Sequence, residues 1–293
     1  VPTSNGQQGE RCVVVVESEE LPNDAHRQTA FFLLIDDVSD VDAFLKDCRM
    51  CGAIMGDIQD ALGEVLGELG KGGMAEVFAI DCPDGRKRAC KVMSKKGAYV
   101  GWALQEIDIM ASLRMPELVG HGRPPPTLIS FYGAYTLTRD TGMCLAVVME
   151  FAAGGDLKEY VRSNGSVSPS FAKAVVRQLS RALVYLHELE IMHRDLKPDN
   201  VLLALKGGTR VKLADFGLAT FMNHPDASRR CGTPGYIAPE VLTRAMAAYD
   251  CKVDVFSLGA VTFFLMAGKH PFAGANREDI MTRNKTVDLQ FAK

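Results

Sequence analysis

The chain has 293 residues, 47% of them hydrophobic and 24% charged, with a formal net charge of −3. That length holds one large domain or two modest ones with a substantial core, and the composition is ordinary for a globular protein. The slightly acidic balance excludes nucleic acid or an anionic membrane surface as the main partner, and no apolar run approaches the ~20 residues of a membrane span. In chain order, Cys12–Val16 and Phe31–Ile35 read as buried strands separated by an acidic, polar stretch from Glu17 to Gln28, and Val41–Cys48 reads as a short helix. Residues 1–60 show no recognisable chemistry and read as an N-terminal extension of unknown role. The chain begins with Val1 rather than Met and has no basic-then-apolar leader, which reads as a trimmed chain and leaves targeting open. Eight cysteines without a disulfide-like rhythm suit reduced thiols of an intracellular, cytoplasmic protein. Cys48 and Cys51 have CxxC spacing, but a second ligand pair or a thioredoxin-like context is missing.

From about Leu62 the texture changes to strand-like segments punctuated by glycine. LGEVLGELG, KGGMAEVFAI and RKRACKVM read as three consecutive antiparallel strands, and Gln105–Leu113 has helical spacing. Arg123–Pro126 must be loop, because proline cannot continue a helix. LISFYGAYTL and MCLAVVMEF follow as two more strands. Beyond Gly155 the pattern is mostly helical, with a long amphipathic helix in FAKAVVRQLSRALVYLHEL, a hairpin in VLLALKGGTRVKLADFG and an apolar helix near Val255–Leu265. A strand-rich half followed by a helix-rich half predicts two lobes with a cleft between them.

Three features carry chemistry. GKGGMAEV (Gly70–Val77) sits on a strand-turn-strand, where glycines let backbone approach a polyphosphate; a purely structural hairpin explains it equally well. Lys91 ends ACK on a half-buried strand, and either faces solvent or needs a counter-charge that Glu106 on the next helix can supply. IMHRDLKPDN (Ile191–Asn200) gathers a histidine, an arginine, two aspartates, a lysine and an asparagine into one proline-broken segment.

Together with ADFG (Ala214–Gly217) and GTPGYIAPE (Gly232–Glu240), these stretches resemble the eukaryotic protein kinases, in order and over most of the chain from about Leu62 to Lys293. The resemblance implies an α+β, bilobal protein-kinase-like fold. A small antiparallel β lobe with one helix covers about residues 61–151, and a large, mainly helical lobe, incomplete at its C-terminal end, covers about 155–293. It implies ATP and Mg²⁺ as cofactors. Asp195 would accept the substrate hydroxyl proton, Lys197 would neutralise the migrating phosphoryl group, and Asn200 and Asp215 would hold magnesium. Lys91, paired with Glu106, would grip the α- and β-phosphates under a loop formed by Leu69, Gly70, Lys71, Gly72, Gly73, Met74, Ala75, Glu76 and Val77, in which Ala75 replaces the family's third glycine. Val77, Ala89 and Leu202 would enclose the adenine, Glu150 and Ala152 would present hinge backbone, Met149 would guard the back pocket and Asp156 would meet the ribose. Met110, Phe131, His193 and Phe216 match the stacked residues that link the lobes in active kinases, and Asp254 matches the aspartate that braces the catalytic loop.

Lys197 and Thr233 follow the serine/threonine pattern, and CGTPGYIAPEVL, YDCKVDVFSLGAVTFFL and GKHPF resemble the calcium/calmodulin-dependent kinase group, with Phe256 where that group has tryptophan. Protein substrates carrying serine or threonine follow from this, and Asp156 and Asp199 would attract an upstream basic residue. Arg194 before the catalytic aspartate implies switching by activation-loop phosphorylation; Arg229 occupies the usual position, leaving Ser228 as the first candidate and Thr220 as a second. HGRPPPT reads as a surface loop in a long connection. The resemblance pairs Glu240 with an arginine beyond Lys293, so that Glu240 would be an orphaned buried carboxylate. The competing reading is a catalytically weak, nucleotide-binding scaffold that regulates an unidentified partner; intact Lys91, Asp195, Asn200 and Asp215 argue against it.

Overall fold

The computed structural model describes residues 11–20, 26–35, 55–56, 63–72, 75–82, 84–94, 99–114, 124–139, 142–243 and 249–289, and for 11–20, 26–35, 55–56, 94, 99–100, 114, 136–139 and 142–143 it describes the backbone alone. The predicted helix at Val41–Cys48 and the Cys48–Cys51 pair lie outside these residues. The chain divides into two units, Val1–Gly120 with Ser130–Phe151, and His121–Ile129 with Ala152–Lys293.

In the first unit, β1 (Arg11–Glu20) and β2 (His26–Ile35) form an antiparallel ribbon. The polar stretch expected to separate two short strands is itself mostly strand, and the register sets Glu19 opposite Arg27. A six-stranded sheet follows, in the order β3-β7-β8-β6-β5-β4. Its members are β3 (Met55–Gly56), β4 (Glu64–Lys71), β5 (Ala75–Asp81), β6 (Lys87–Ser94), β7 (Phe131–Arg139) and β8 (Gly142–Glu150). The pairing is antiparallel except between β3 and β7.

Side chains alternate across a strand. One face buries Ile80, Cys90, Val92, Cys144, Ala146 and Val148 in a common apolar cluster. The other carries Val77, Ala89, Lys91 and Met149, aligned because Lys91 lies opposite Val77, and Ala89 lies opposite Met149. α1 (Tyr99–Arg114) begins six residues before the predicted start, and buries residues on nearly every side, from Ala103 and Leu104 to Ala111 and Leu113.

The second unit begins with α2 (Leu157–Asn164), capped by Asp156, and α3 (Pro169–Glu188), capped by Ser168 with Pro169 in its first turn. Ala172, Val175, Leu179, Leu183 and Leu186 make the buried stripe of α3 at three- and four-residue spacing. Short strands β9 (Ile191–Met192), β10 (Val201–Leu203), β11 (Val211–Leu213) and β12 (Thr220–Phe221) pair as β10-β11 and β12-β9. The predicted hairpin is the β10-β11 ladder, with Val201 opposite Leu213. α4 (Pro239–Thr243), α5 (Lys252–Ala267) and α6 (Arg277–Thr286) complete the unit. α5 stops at Gly268, whose left-handed backbone lets its N–H return to Phe264 O.

Two expectations are corrected here. The end of HGRPPPT is not surface loop: Thr127 is buried, its carbonyl accepts from Leu213 N, and Leu128 bridges Leu213 in parallel. Glu240 is half-buried in the first turn of α4, so the penalty of a fully buried orphan carboxylate does not apply. Among the described residues, Cys82, Cys231 and Cys251 are free thiols. No helix among the described residues is long and apolar enough to cross a membrane.

Beyond α5, the Tyr236 hydroxyl lies 3.0 Å from His270 Nδ1, with the His270 ring against Tyr236 and Phe264. Partial covering of the ring, then the Lys158 charge, lower the His270 pKa from 6.5, against the pull of Asp199. The unfolded chain therefore binds this proton more readily, and the stabilisation from neutral His270, full above pH 6.5, is lost as acidification passes first that value and then the lower folded one. His270→Gln should flatten this part of the dependence of the melting temperature between neutral and mildly acidic pH.

Candidate active site

The loop after β9 is built around a backbone conformation that an arginine adopts only under constraint. Arg194 has φ 64°, the left-handed region, which costs a non-glycine residue about 1–2 kcal/mol. Asp254, fully buried in the first turn of α5, holds it there. Its Oδ1 accepts from Arg194 N at 2.8 Å, and its Oδ2 from His193 N at 2.9 Å. His187 Nε2 lies 2.9 Å from the same Oδ2. His193 is tied on both sides: Asp195 N donates to its Nδ1, and its Nε2 reaches Ala214 O. Since a carbonyl only accepts, this is the neutral tautomer with the proton on Nε2.

The turn delivers Asp195, 7% exposed, into a set of converging donors. Oδ2 accepts from Lys197 Nζ at 2.6 Å and from Asn200 Nδ2 at 3.1 Å; Oδ1 accepts from Thr233 Oγ1 at 2.6 Å. Lys197 Nζ also donates to Thr233 Oγ1 at 2.9 Å, closing a ring of carboxylate, ammonium and hydroxyl. Charge-assisted bonds of this kind are short and strong, and they fix where the carboxylate points. In the sequence Thr233 marks only the serine/threonine class. A partner 38 residues away leaves no local signal.

Asn200 also donates to the Asp195 carbonyl at 2.8 Å. Both Asn200 bonds use the amide nitrogen, which leaves its Oδ1 as an oxygen donor. Asp215 is exposed with φ 63°, next to Ala214, whose N–H returns to Asn200 O at 2.9 Å. An amide oxygen and a carboxylate are the hard donors magnesium takes, and that ion completes its shell with water and phosphate oxygens. The residues fit the group. Phe216 is fully buried, its ring 5.1 Å from His193. Asp156 gives Oδ1 to Glu159 N as the cap of α2, and bridges Leu202 through the backbone.

In the first unit, Lys91 is no solvent-facing strand residue. Its Nζ reaches Glu106 Oε1 at 2.6 Å and Oε2 at 2.8 Å, with the side chains 13% and 2% exposed. The glycine-rich hairpin turns with Gly72 N donating to Ala75 O, and Lys71 pairs with Glu76 at 2.7 Å. Gly73 and Met74 lie outside the described residues. Among the described residues, a methyl group at Gly70 would meet nothing within 4 Å, and at Gly72 only Ala75 O at 3.6 Å. Space around Gly70 and Gly72 therefore does not by itself demand glycine at these two positions. Leu69 is exposed at the same hairpin. Val77 and Ala89 share the face of Lys91 and Met149, while Glu150 Oε2 accepts from Ser130 Oγ and its N–H donates to Ser130 O. Met110 and Phe131 are buried in this unit.

Arg194 points its guanidinium at the segment after the ADFG stretch, where Nε donates to Leu218 O at 2.7 Å and Nη1 to Asp226 O and to the Tyr249 hydroxyl. Tyr249 in turn donates to Arg229 O, and burial pushes its pKa up to about 12, so it remains a donor. The sequence gives Tyr249 no role beyond opening the stretch YDCKVDVFSLGAVTFFL. Of the two phosphorylation candidates, Ser228 is half-buried in a 3₁₀ turn, whereas Thr220 is fully buried in β12 and is out of reach of a modifying enzyme. Tyr249→Phe should loosen residues 226–231: amide exchange there should speed up and the fold should lose about 1–2 kcal/mol, the usual effect of leaving buried partners unmet.

A profile of the protein kinase domain matches residues 64–292. The chain is 33% identical over 230 residues to myosin light chain kinase A of Dictyostelium discoideum, covering 76% of this chain and 72% of that protein. It is 40% identical over 146 residues to the probable serine/threonine-protein kinase 2 of Plasmodium falciparum, covering 50% of this chain and 28% of that protein. Over 227 residues it is 32% identical to calcium-dependent protein kinase 5 of Plasmodium berghei, covering 76% of this chain and 38% of that protein. It thus spans well under half the length of both Plasmodium relatives. With the profile running from the first strand of the glycine hairpin to the far end of the helical unit, the chain belongs to the protein kinase domain family.

Proposed function

We propose that this chain is an ATP-dependent protein serine/threonine kinase, with its kinase domain at residues 61–293 and an extension at 1–60. The observation that carries the reading is the Asp195 carboxylate held by Lys197, Asn200 and Thr233 on a loop braced by Asp254. A side chain so fixed can orient a serine or threonine hydroxyl and take its proton. The hydroxyl oxygen bonds to the γ-phosphorus of ATP, the bond from that phosphorus to the β,γ-bridging oxygen breaks, and ADP leaves with the electron pair. Phosphoryl transfer relies on positioning and charge neutralisation more than on covalent chemistry. Lys197 supplies a cation beside the reacting oxygens. Lys91, aligned by Glu106, holds the α- and β-phosphates. Leu69–Val77 cover the phosphates, Val77 and Ala89 pack on the base, and Leu202 would add an apolar contact to it. Glu150 and Ala152 offer backbone to its edge, Met149 limits the pocket behind it, and Asp156 meets the ribose with the oxygen that does not cap α2.

Asn200 and Asp215 would hold Mg²⁺, which when bound neutralises phosphate charge. The substrates are proteins, and the free thiols suit a reducing, intracellular setting. The test is transfer of radiolabelled phosphate from ATP to a generic serine/threonine substrate, compared with Asp195→Asn. Transfer that disappears in the variant is expected. Equal signal from both proteins would overturn the reading and favour a non-catalytic scaffold.

A further inference from the structure

Asp199 sits one residue before Asn200 in the 3₁₀ turn Pro198–Asn200, four positions after Asp195. A protein segment whose hydroxyl reaches Asp195 must run its neighbouring residues past this part of the surface, since each residue spans about 3.3–3.6 Å at most. Carboxylates there would favour substrates with arginine ahead of the target hydroxyl, the preference expected from Asp156 and Asp199 in the sequence. The side chains around them give a different result. Lys158 Nζ lies 2.7 Å from Asp199 Oδ1, with the two side chains 48% and 38% exposed. Asp156 commits Oδ1 to Glu159 N. Glu159 is gripped through both oxygens by Arg162, at 2.7 Å each, and by Ser163. Each of the three carboxylates on this flank already has a partner from α2, and two of those partners are cations.

We propose that Lys158 is a specificity-determining residue: it cancels the attraction of Asp199 for basic groups, so that the enzyme takes protein segments with uncharged residues upstream of the target hydroxyl. This rests on the kinase reading above. An incoming guanidinium must displace an ammonium that is tethered to the same surface, and so is present at high effective concentration. It also approaches an Asp199 carboxylate whose charge the lysine already offsets. The field of Lys158 extends further, since the same ammonium helps lower the His270 pKa on the adjoining side. The flank is therefore the exposed His270 ring beside a neutralised acid, chemistry that suits uncharged residues better than arginine. Lys158 is on the exposed face of α2, away from its buried Leu157 and Val161, so replacing it does not disturb the core.

The test uses two fluorescent serine peptides, one with arginine at the two and three positions before the serine and one with alanine at both, titrated by anisotropy against the whole chain. The wild type should bind them within about twofold of each other, and Lys158→Ala should favour the arginine peptide by about fivefold, the ceiling for one exposed ion pair. Lys158→Ala with Asp199→Ala should return to about twofold or less, because the acid that reads the arginine is gone. A wild type that already favours arginine fivefold, or a Lys158→Ala ratio equal to the wild type's, overturns the proposal. Phosphoryl transfer to the same peptides, read in parallel, separates the two ideas. Binding ratios that move as expected with no transfer would sink the kinase activity and support the role of Lys158. Transfer with unmoved ratios would do the reverse.

Discussion

Asp195→Asn is expected to reduce phosphoryl transfer between about 10²- and 10⁴-fold, the range for removing a positioned general base. The reason is visible in the donors around the carboxylate. Lys197, Asn200 and Thr233 all present hydrogens to it, so its two oxygens act purely as acceptors. Asparagine keeps one oxygen and replaces the other with an NH₂ group. If that oxygen stays with Thr233, the amide hydrogens face the Lys197 ammonium, two donors where a salt bridge of 2.6 Å stood. If the amide turns over, Thr233 loses its acceptor. Either way the group that would take the substrate proton is gone and its neighbours shift. The three partners act as a unit, so adding Lys197→Ala to Asp195→Asn should lower the rate far less than Lys197→Ala does alone. ATP affinity, measured separately with a fluorescent nucleotide, should change little, because Lys91 and Glu106 are untouched. A rate within tenfold of the wild type would show that another group takes the proton.

The sequence made the family legible and the supports of its loops much less so. HRDLKPDN, ADFG and the lysine of ACK are short, ordered motifs, and each one's residue types follow from phosphate and metal chemistry. The Lys91–Glu106 pair was readable because a half-buried lysine demands a counter-charge and the next helix offered one. Thr233, Tyr249 and Lys158 were opaque for a common reason. Their partners lie 38, 55 and 41 positions away, and a contact at that separation has no periodicity to betray it. The start of α1 was missed because Gly101 and aromatic residues lower local helix propensity, while burial of Ala103, Leu104 and Ile107 overrides it. α6 carries its own start and stop signals in the sequence. Asn276 caps Asp279 N, acids fill the first turn, and Arg283 and Lys285 fill the last, the usual signature of a helix start and stop. That helix matters to the site at one remove: its buried Asn284 accepts from Gly235 N and donates to Ile237 O, pinning the stretch that carries Thr233.

Asp254→Ala should be the most damaging single change to the fold of the helical unit, at about 3–5 kcal/mol, the range for stripping a buried charge from its partners. Three hydrogen-bonding groups lose their acceptor together: two backbone N–H groups at His193 and Arg194, and the His187 ring. The backbone groups cannot turn toward water without unmaking the turn itself. Arg194 then has nothing to hold it at φ 64°, and relaxation toward an ordinary conformation would move the peptide plane that leads into Asp195. The melting temperature should fall by roughly 10 °C, at about 2–4 °C per kcal/mol for a chain of this class. Activity should fall further than stability accounts for, even at temperatures where the variant remains folded. Asp254→Asn should sit between the two. Its oxygen can keep Arg194 N, and its amide can donate to the His187 ring in the other tautomer, leaving only His193 N without a partner. The order wild type, Asn, Ala in both melting temperature and kcat is the outcome expected from this geometry. An alanine variant within about 1 kcal/mol of the wild type, well under the range for a buried charged group, would mean that the loop holds its shape without the carboxylate.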